Sequence, residues 1–180
     1  MTSILKVSEI QDPTNSNTAL TIDSSGNVTF SNKINLATIP SVFAQGGNNA
    51  NKTINTGEKL GSTSQGQAAF KTDGTNGSFI QGGMSYSSTD GTFTVPVNGL
   101  YHVYGQYYLN ENNSGRLQIY KNGTTAVGLA HIHMNAGTVD CSVILNLSAN
   151  DTIEFRQDSG SDRTVYEGLN HTFVHIYLIG

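Results

Sequence analysis

Cysteine occurs once in the chain, as Cys141, so no disulfide within the chain can staple the fold. A single cysteine suits synthesis in a reducing cytosol, and its place in the strand-like run VDCSVIL makes it a small buried hydrophobe rather than a reactive thiol. Charge is also scarce. Asp, Glu, Lys and Arg together make up 12% of the 180 residues, about half the usual share of roughly 25%, and Asn, Ser, Thr and Gly take their place. The net charge is -4 with no run of Lys or Arg, which excludes a phosphate-neutralising surface and with it nucleic acid as a partner. No segment approaches the roughly 18 consecutive apolar residues of a membrane-spanning helix, so membrane insertion is not expected. MTSILKVSEIQDP lacks the apolar core of a secretory signal, so the Asn-x-Ser/Thr triplets at Asn27, Asn51 and Asn146 are read as chance in a chain rich in these residues. Catalytic signatures are missing too: no G-x-S-x-G, H-E-x-x-H or Gly-Lys-Ser/Thr motif occurs. Gly46-Gly47 and Gly82-Gly83 lack the strand-then-helix setting of a phosphate loop. No enzyme is expected.

Helical spacing of apolar residues is absent, whereas period-two alternation recurs between Gly, Asn, Asp and Ser clusters. The fold class expected is all-β, an antiparallel sandwich or barrel, with strands in SFIQGGMSY, TFTVPV, LYHVYGQYYL, RLQIYKN, TAVGLAHIHM, VDCSVILNL, DTIEFRQD, RTVYEG and HTFVHIYLI. Asn122-Gly123 supplies the positive φ of a tight hairpin tip, and QDSGSDR at 157–163 reads as a surface loop. Residues 44–77 carry only two weak strands, near Thr53-Ile54 and Ala68-Phe70, and part of this stretch is expected to be loop.

The segment from Asp90 to Val103, DGTFTVPVNGLYHV, resembles the signature of the tumour-necrosis-factor-like jelly roll, in the branch of the complement globular head. Asp90 stands where Thr is usual and Val103 replaces the last aromatic. Pro40-Ser41-Val42-Phe43-Ala44 is similar to the family's opening strand, with Val42 inserted. Leu117 to Gly123 resembles its Asn-Gly hairpin, and Val143-x-Leu145-x-Leu147 with Asp151-x-Ile153 resembles a later strand pair in which Asn150 replaces Gly. In the last strand, Phe173 to Ile179, His175 stands where the family usually has Gly. The resemblance covers about residues 40–180. It implies a homotrimeric jelly-roll head over 36–180 in which Phe93 plugs the core, Pro96 sits at a strand end, Gly99 makes the turn and Tyr101 points inward.

Tyr101, Val103, Gly105, Tyr107 and Leu109 share one parity of a strand, while His102, Tyr104, Gln106 and Tyr108 share the other. A lone sandwich buries one face only, so Tyr104 and Tyr108 are expected in a subunit interface.

The first 35 residues hold three apolar bursts: Ile4, Leu5, Val7 and Ile10, then Leu20 and Ile22, then Val28 and Phe30. So small a segment buries too little to order itself, and other copies or a larger assembly are expected to order it. Its pattern resembles the leading segment of bacteriophage appendage proteins. That implies a virion anchor docking on capsid, neck or tail, with an outward head contacting a host-surface glycan or protein. The expected location is then the virion surface, after synthesis in the host cytoplasm. A soluble bacterial module binding carbohydrate or matrix polymer is the alternative.

His131 and His133 project to one face of a strand, and around a three-fold axis would offer six imidazoles to a transition metal. Asp151, Glu154, Asp158 and Asp162 are the carboxylates available for calcium, without EF-hand spacing. No other cofactor is implied.

Overall fold

In the computed structural model the residues described are 9–11, 18–30, 39–132 and 136–180. The chain forms two compact units, residues 1–36 and 37–180.

The first unit contains β1 (Glu9–Gln11), β2 (Thr18–Ile22) and β3 (Val28–Phe30), an antiparallel three-stranded sheet in the order β1-β2-β3. Register sets Ile10, Leu20 and Phe30 in one row and Ile22 opposite Val28. The β2–β3 turn is held by Asp23, whose carboxylate accepts from the backbone N–H of Ser25 (2.8 Å) and Asn27 (2.9 Å). Ile4, Leu5 and Val7 lie outside the described residues.

The second unit is a jelly roll of two antiparallel sheets. One sheet comprises β4 (Ser41–Gln45), β5 (Asn51–Ile54), β6 (Phe79–Gln81), β9 (Gly99–Leu109), β12 (Gly137–Leu147), β14 (Arg163–Tyr166) and β15 (Phe173–Leu178). Its order is β5-β14-β9-β15-β4-β6, and β12 pairs along all of β9 on that strand's other edge. The second sheet comprises β7 (Ser85–Ser87), β8 (Thr92–Thr94), β10 (Gly115–Lys121), β11 (Thr125–Ile132) and β13 (Thr152–Gln157), in the order β11-β10-β13-β8-β7. Alternation sends one parity of every strand into the space between the sheets. Tyr101, Val103, Tyr107 and Leu109 of β9 are fully buried against Ile119, Ile153 and Phe155 of the opposite sheet. Removing one such side chain from water stabilises the fold by about 1.5–3 kcal/mol.

Phe93 is fully buried and stacks on Tyr86, with centroids 4.7 Å apart. The Tyr86 hydroxyl donates to the Gly61 carbonyl at 2.6 Å and accepts from the Phe70 N–H at 3.0 Å, and burial pushes its pKa up to about 12. Pro96 lies two residues past the end of β8, where no ladder bond is lost. Asn122 (φ 52) and Gly123 (φ 69) form the β10–β11 tip in the left-handed conformation, as does Asn150 (φ 72) after β12.

Several local expectations change. Gly99 makes no turn: it opens β9 as a strand residue, and a Cβ there would run into Leu178 and lie 2.7 Å from the Gly180 carbonyl oxygen. SFIQGGMSY is two strands, β6 and β7, separated by Gly82 and Gly83 with φ of 63° and 80°. Ala68–Phe70 forms no strand; Lys71 makes a single bridge to Gln45, although Phe70 is buried. Within QDSGSDR, Gln157 and Arg163 are buried strand residues. Gln157 donates to the Ile54 carbonyl at 3.1 Å, so only the residues between the two are loop.

Candidate self-association face and adjoining cleft

The parity of β9 that does not enter the core looks outward from the larger sheet, and register extends it across the neighbouring strands. One row runs Phe79, Phe43, His175, Tyr104, Ser142; the next runs Gln81, Ser41, Tyr177, His102, Ile144. Six rings from β4, β9 and β15 therefore touch in sequence. His102 and Tyr177 lie 5.0 Å apart by centroid, Tyr177 and His175 4.8 Å, His175 and Phe43 5.9 Å, Phe43 and Phe173 5.7 Å, and Phe173 and Tyr104 5.6 Å. At its margins this face exposes Phe79 (37%), Leu100 (45%), Ile144 (59%) and Ile179 (47%).

Polar groups border the rings and bond locally, as where Gln81 Nε2 donates to Ser41 Oγ at 2.8 Å. The Tyr104 hydroxyl donates to Gln106 Oε1 at 2.7 Å, and His102 Nε2 lies 2.8 Å from Ser142 Oγ. Burial, and secondarily the Asp140 charge, push the Tyr104 phenol above its usual pKa. Burial, and then neighbouring His102, hold the His175 imidazole below the ordinary histidine value. β15, which carries His175, lies inside the sheet between β9 and β4, so this histidine occupies the centre of the ring cluster.

Tyr108 has the same parity as Tyr104 but meets other neighbours. Its ring stands edge-on to His171 (5.5 Å, 84°), which also stands edge-on to Tyr166 (5.0 Å, 83°). Together with Asn110 these residues line an open cleft of about 270 Å³.

The candidate metal ligands are not drawn to this face. His131 is exposed on β11, the edge of the other sheet, and His133 lies outside the described residues. The carboxylates considered for calcium do not converge. Asp151 pairs with Lys121 (2.7 Å), Asp158 with Arg116 (2.8 Å), and buried Glu154 with Lys59 (2.7 Å) and Arg156. Among the described residues no group of three or more His, Cys, Asp or Glu could hold a metal ion.

Two packed antiparallel sheets, with the DGTFTVPVNGLYHV segment crossing from β8 to β9, are matched by a sequence model of the C1q domain over residues 53–175. The chain belongs to the C1q domain family. No relative is found among curated protein sequences. Among solved structures, this C1q-type chain is similar to the Eiger tumour necrosis factor of S. frugiperda at 12% identity and a TM-score of 0.60, covering 79% of this chain and 93% of that one. It is likewise similar to the globular domain of the zebrafish complement 1qA protein at 12% identity and a TM-score of 0.56, covering 78% of this chain and 98% of that one. At such identities the likeness is one of fold. C1q-type domains are typically binding or structural modules rather than enzymes.

The sequence marks Phe43, Phe173 and His175 only as positions in family-like strands, and neither they nor Tyr177 as parts of one face, yet the signal was present. TFVHIYL alternates aromatics on one parity just as LYHVYGQYYL does. Tyr166 and His171 had no such signal, because only the fold brings them to the end of β9.

Proposed function

We propose that the protein is a bacteriophage virion structural protein, a homotrimeric short fibre, knob or decoration protein. Its N-terminal unit docks on capsid, neck or tail, and its C1q-type head faces outward on the virion surface. The observation that carries self-association is the six-ring row on the outward side of the larger sheet, flanked by exposed Phe79, Leu100, Ile144 and Ile179. Exposed apolar side chains gathered around such an aromatic row mark an interaction surface. These side chains are already partly buried, so covering each contributes roughly half of the about 1.5–3 kcal/mol of full burial, set against the cost of association. Homotrimers are the habit of C1q and tumour-necrosis-factor-like domains, and Tyr104 lies in the middle of the row such contacts would cover. Tyr108 then sits at the margin of the interface. The virion role draws its support from the N-terminal unit, a separate small sheet with the appendage-like pattern ALTIDSSGNVTF.

Light scattering on the full-length protein is expected to give three times the chain mass; a monomer overturns the proposal. Tyr104→Glu combined with Phe173→Glu is expected to give a monomer whose circular dichroism is unchanged. For the anchor, deletion of residues 1–36 is expected to leave a folded head that no longer enters particles, and unchanged incorporation rejects it.

A further inference from the structure

We infer that the cleft between Tyr108, Asn110, Tyr166 and His171 is a binding site for an uncharged sugar ring. The inference deepens the reading of the head as a surface-contacting module, but the cleft is built within one chain and is testable whatever the oligomeric state.

Three elements supply the walls: the end of β9, β14, and the turn before β15. Each side chain is held in place. The Tyr166 ring lies on the backbone of Gly168, so close that a Cβ at Gly168 would collide with ring carbon Cε1. His171 Nδ1 lies 3.0 Å from the Leu169 carbonyl oxygen. A carbonyl only accepts, so Nδ1 carries the proton, and in the neutral ring Nε2 is left as a bare acceptor. Asn110 Nδ2 donates to Asn51 Oδ1 at 2.7 Å, which orients the amide, while Asn110 Oδ1 accepts no bond from any described residue. The hydroxyls of Tyr108 and Tyr166 likewise make no hydrogen bond within the described residues.

The result is a preset array: aromatic faces nearly perpendicular to the imidazole, two unpaired acceptors, and two hydroxyls able to donate or accept. No charged side chain lines the cleft. Sugar rings offer that complement, apolar C–H faces that pack on aromatics and a rim of hydroxyls that donate to fixed acceptors. An anionic ligand would meet no cation here. The volume, about 270 Å³, lies at the small end of ligand clefts and suits one ring rather than a long chain. Single-site affinity for so open a cleft is weak, in the range where about three linked copies gain through avidity.

Saturation-transfer NMR on the full-length protein reads contact with a sugar, and because the chain has no tryptophan its emission comes from its 8 tyrosines, Tyr108 and Tyr166 among them. The probes are the methyl glycosides of glucose, galactose, mannose and N-acetylglucosamine, with sialic acid as the charged comparison. At least one neutral glycoside is expected to receive saturation and to quench tyrosine emission. His171→Ala, a surface change that leaves the core intact, is expected to weaken binding at least ten-fold, and Asn110→Ala several-fold, with oligomeric mass unchanged in both. Absence of binding by all four neutral glycosides overturns the inference. So does binding that survives His171→Ala and Asn110→Ala together, or a preference for sialic acid. Loss of the trimer in the Tyr104 and Phe173 variant with sugar binding retained separates the two proposals.

Discussion

Gly105 stands in the middle of β9 among Tyr101, Val103, Tyr107 and Leu109, on the parity that enters the core. Its missing side chain is a socket: a Cβ would strike the ring of Phe155, which crosses from the opposite sheet. Gly105→Ala is expected to destabilise the head by about 1–3 kcal/mol, the usual cost of overpacking a filled core. A urea unfolding midpoint checks this, and Phe155→Leu in the same chain is expected to recover part of the loss. Alternation in the sequence places Gly105 inward but does not show what fills it, because Phe155 is 50 positions away and belongs to another sheet. Gly99 reads as a turn residue for the same reason: the neighbours that hold it in β9, Leu178 and Gly180, are about 80 positions away in the sequence.

Among the elements, the β10–β11 tip and the β12–β13 turn are joined by two side chains. Asp151 accepts from Lys121 Nζ (2.7 Å), Asn122 Nδ2 (2.8 Å) and the Ser148 N–H (2.8 Å), while Asn122 Oδ1 accepts from the Thr152 N–H (2.8 Å). These bonds, those from Lys121 and Asn122 foremost, hold the Asp151 pKa at about 2 against an ordinary 3.8. A depressed carboxylate pKa stabilises the fold fully above the ordinary value, and that contribution is lost as pH falls from 3.8 through 2. Asp151→Asn is therefore expected to lower the melting temperature near neutral pH and to match the unchanged protein near pH 2, read by thermal unfolding along a pH series. The hairpin tip and the Asn150 turn were legible from Asn-Gly and from the family pattern. That the two turns clasp each other was not, since local turn chemistry says nothing about which turns meet. Ala68–Phe70 misled in the opposite way. Phe70 is buried as a strand residue would be, yet its N–H is taken by the Tyr86 hydroxyl instead of a ladder.

For the whole molecule, the outward ring face contains a titratable pair, His102 and His175, beside Tyr104 and Tyr177. Burial and the neighbouring imidazole both disfavour protonation of His175, so the unfolded chain binds its proton more readily. The associated stability is whole above the ordinary value of 6.5 and declines as pH falls below it, towards the lowered folded-state value. Covering this face in a trimer deepens that burial. Light scattering is expected to show a smaller trimer fraction at pH 5.5 than at pH 7.5, and His175→Phe is expected to flatten the difference. A trimer fraction indifferent to pH in the unchanged protein counts against His175 lying in the contact. The two-faced aromatic strand was readable in the sequence and led to the face. The partners that make it a continuous surface were not, because Phe43 and Phe173 are 130 positions apart and meet only through pairing of the first and last strands of the head.

That pairing governs how the protein is made. β15 follows the other described strands of the head in the chain, yet it is laid between β9 and β4 rather than along a rim. Until it arrives, β6 is the one partner strand of β4 among the described residues and an edge of β9 stays open, so the nascent head is an incomplete sheet until β15 emerges. Truncation before Phe173 would remove a middle strand and leave two sticky edges facing each other across the gap. Co-translational folding of this head therefore waits on β15, the strand that joins β9 to β4.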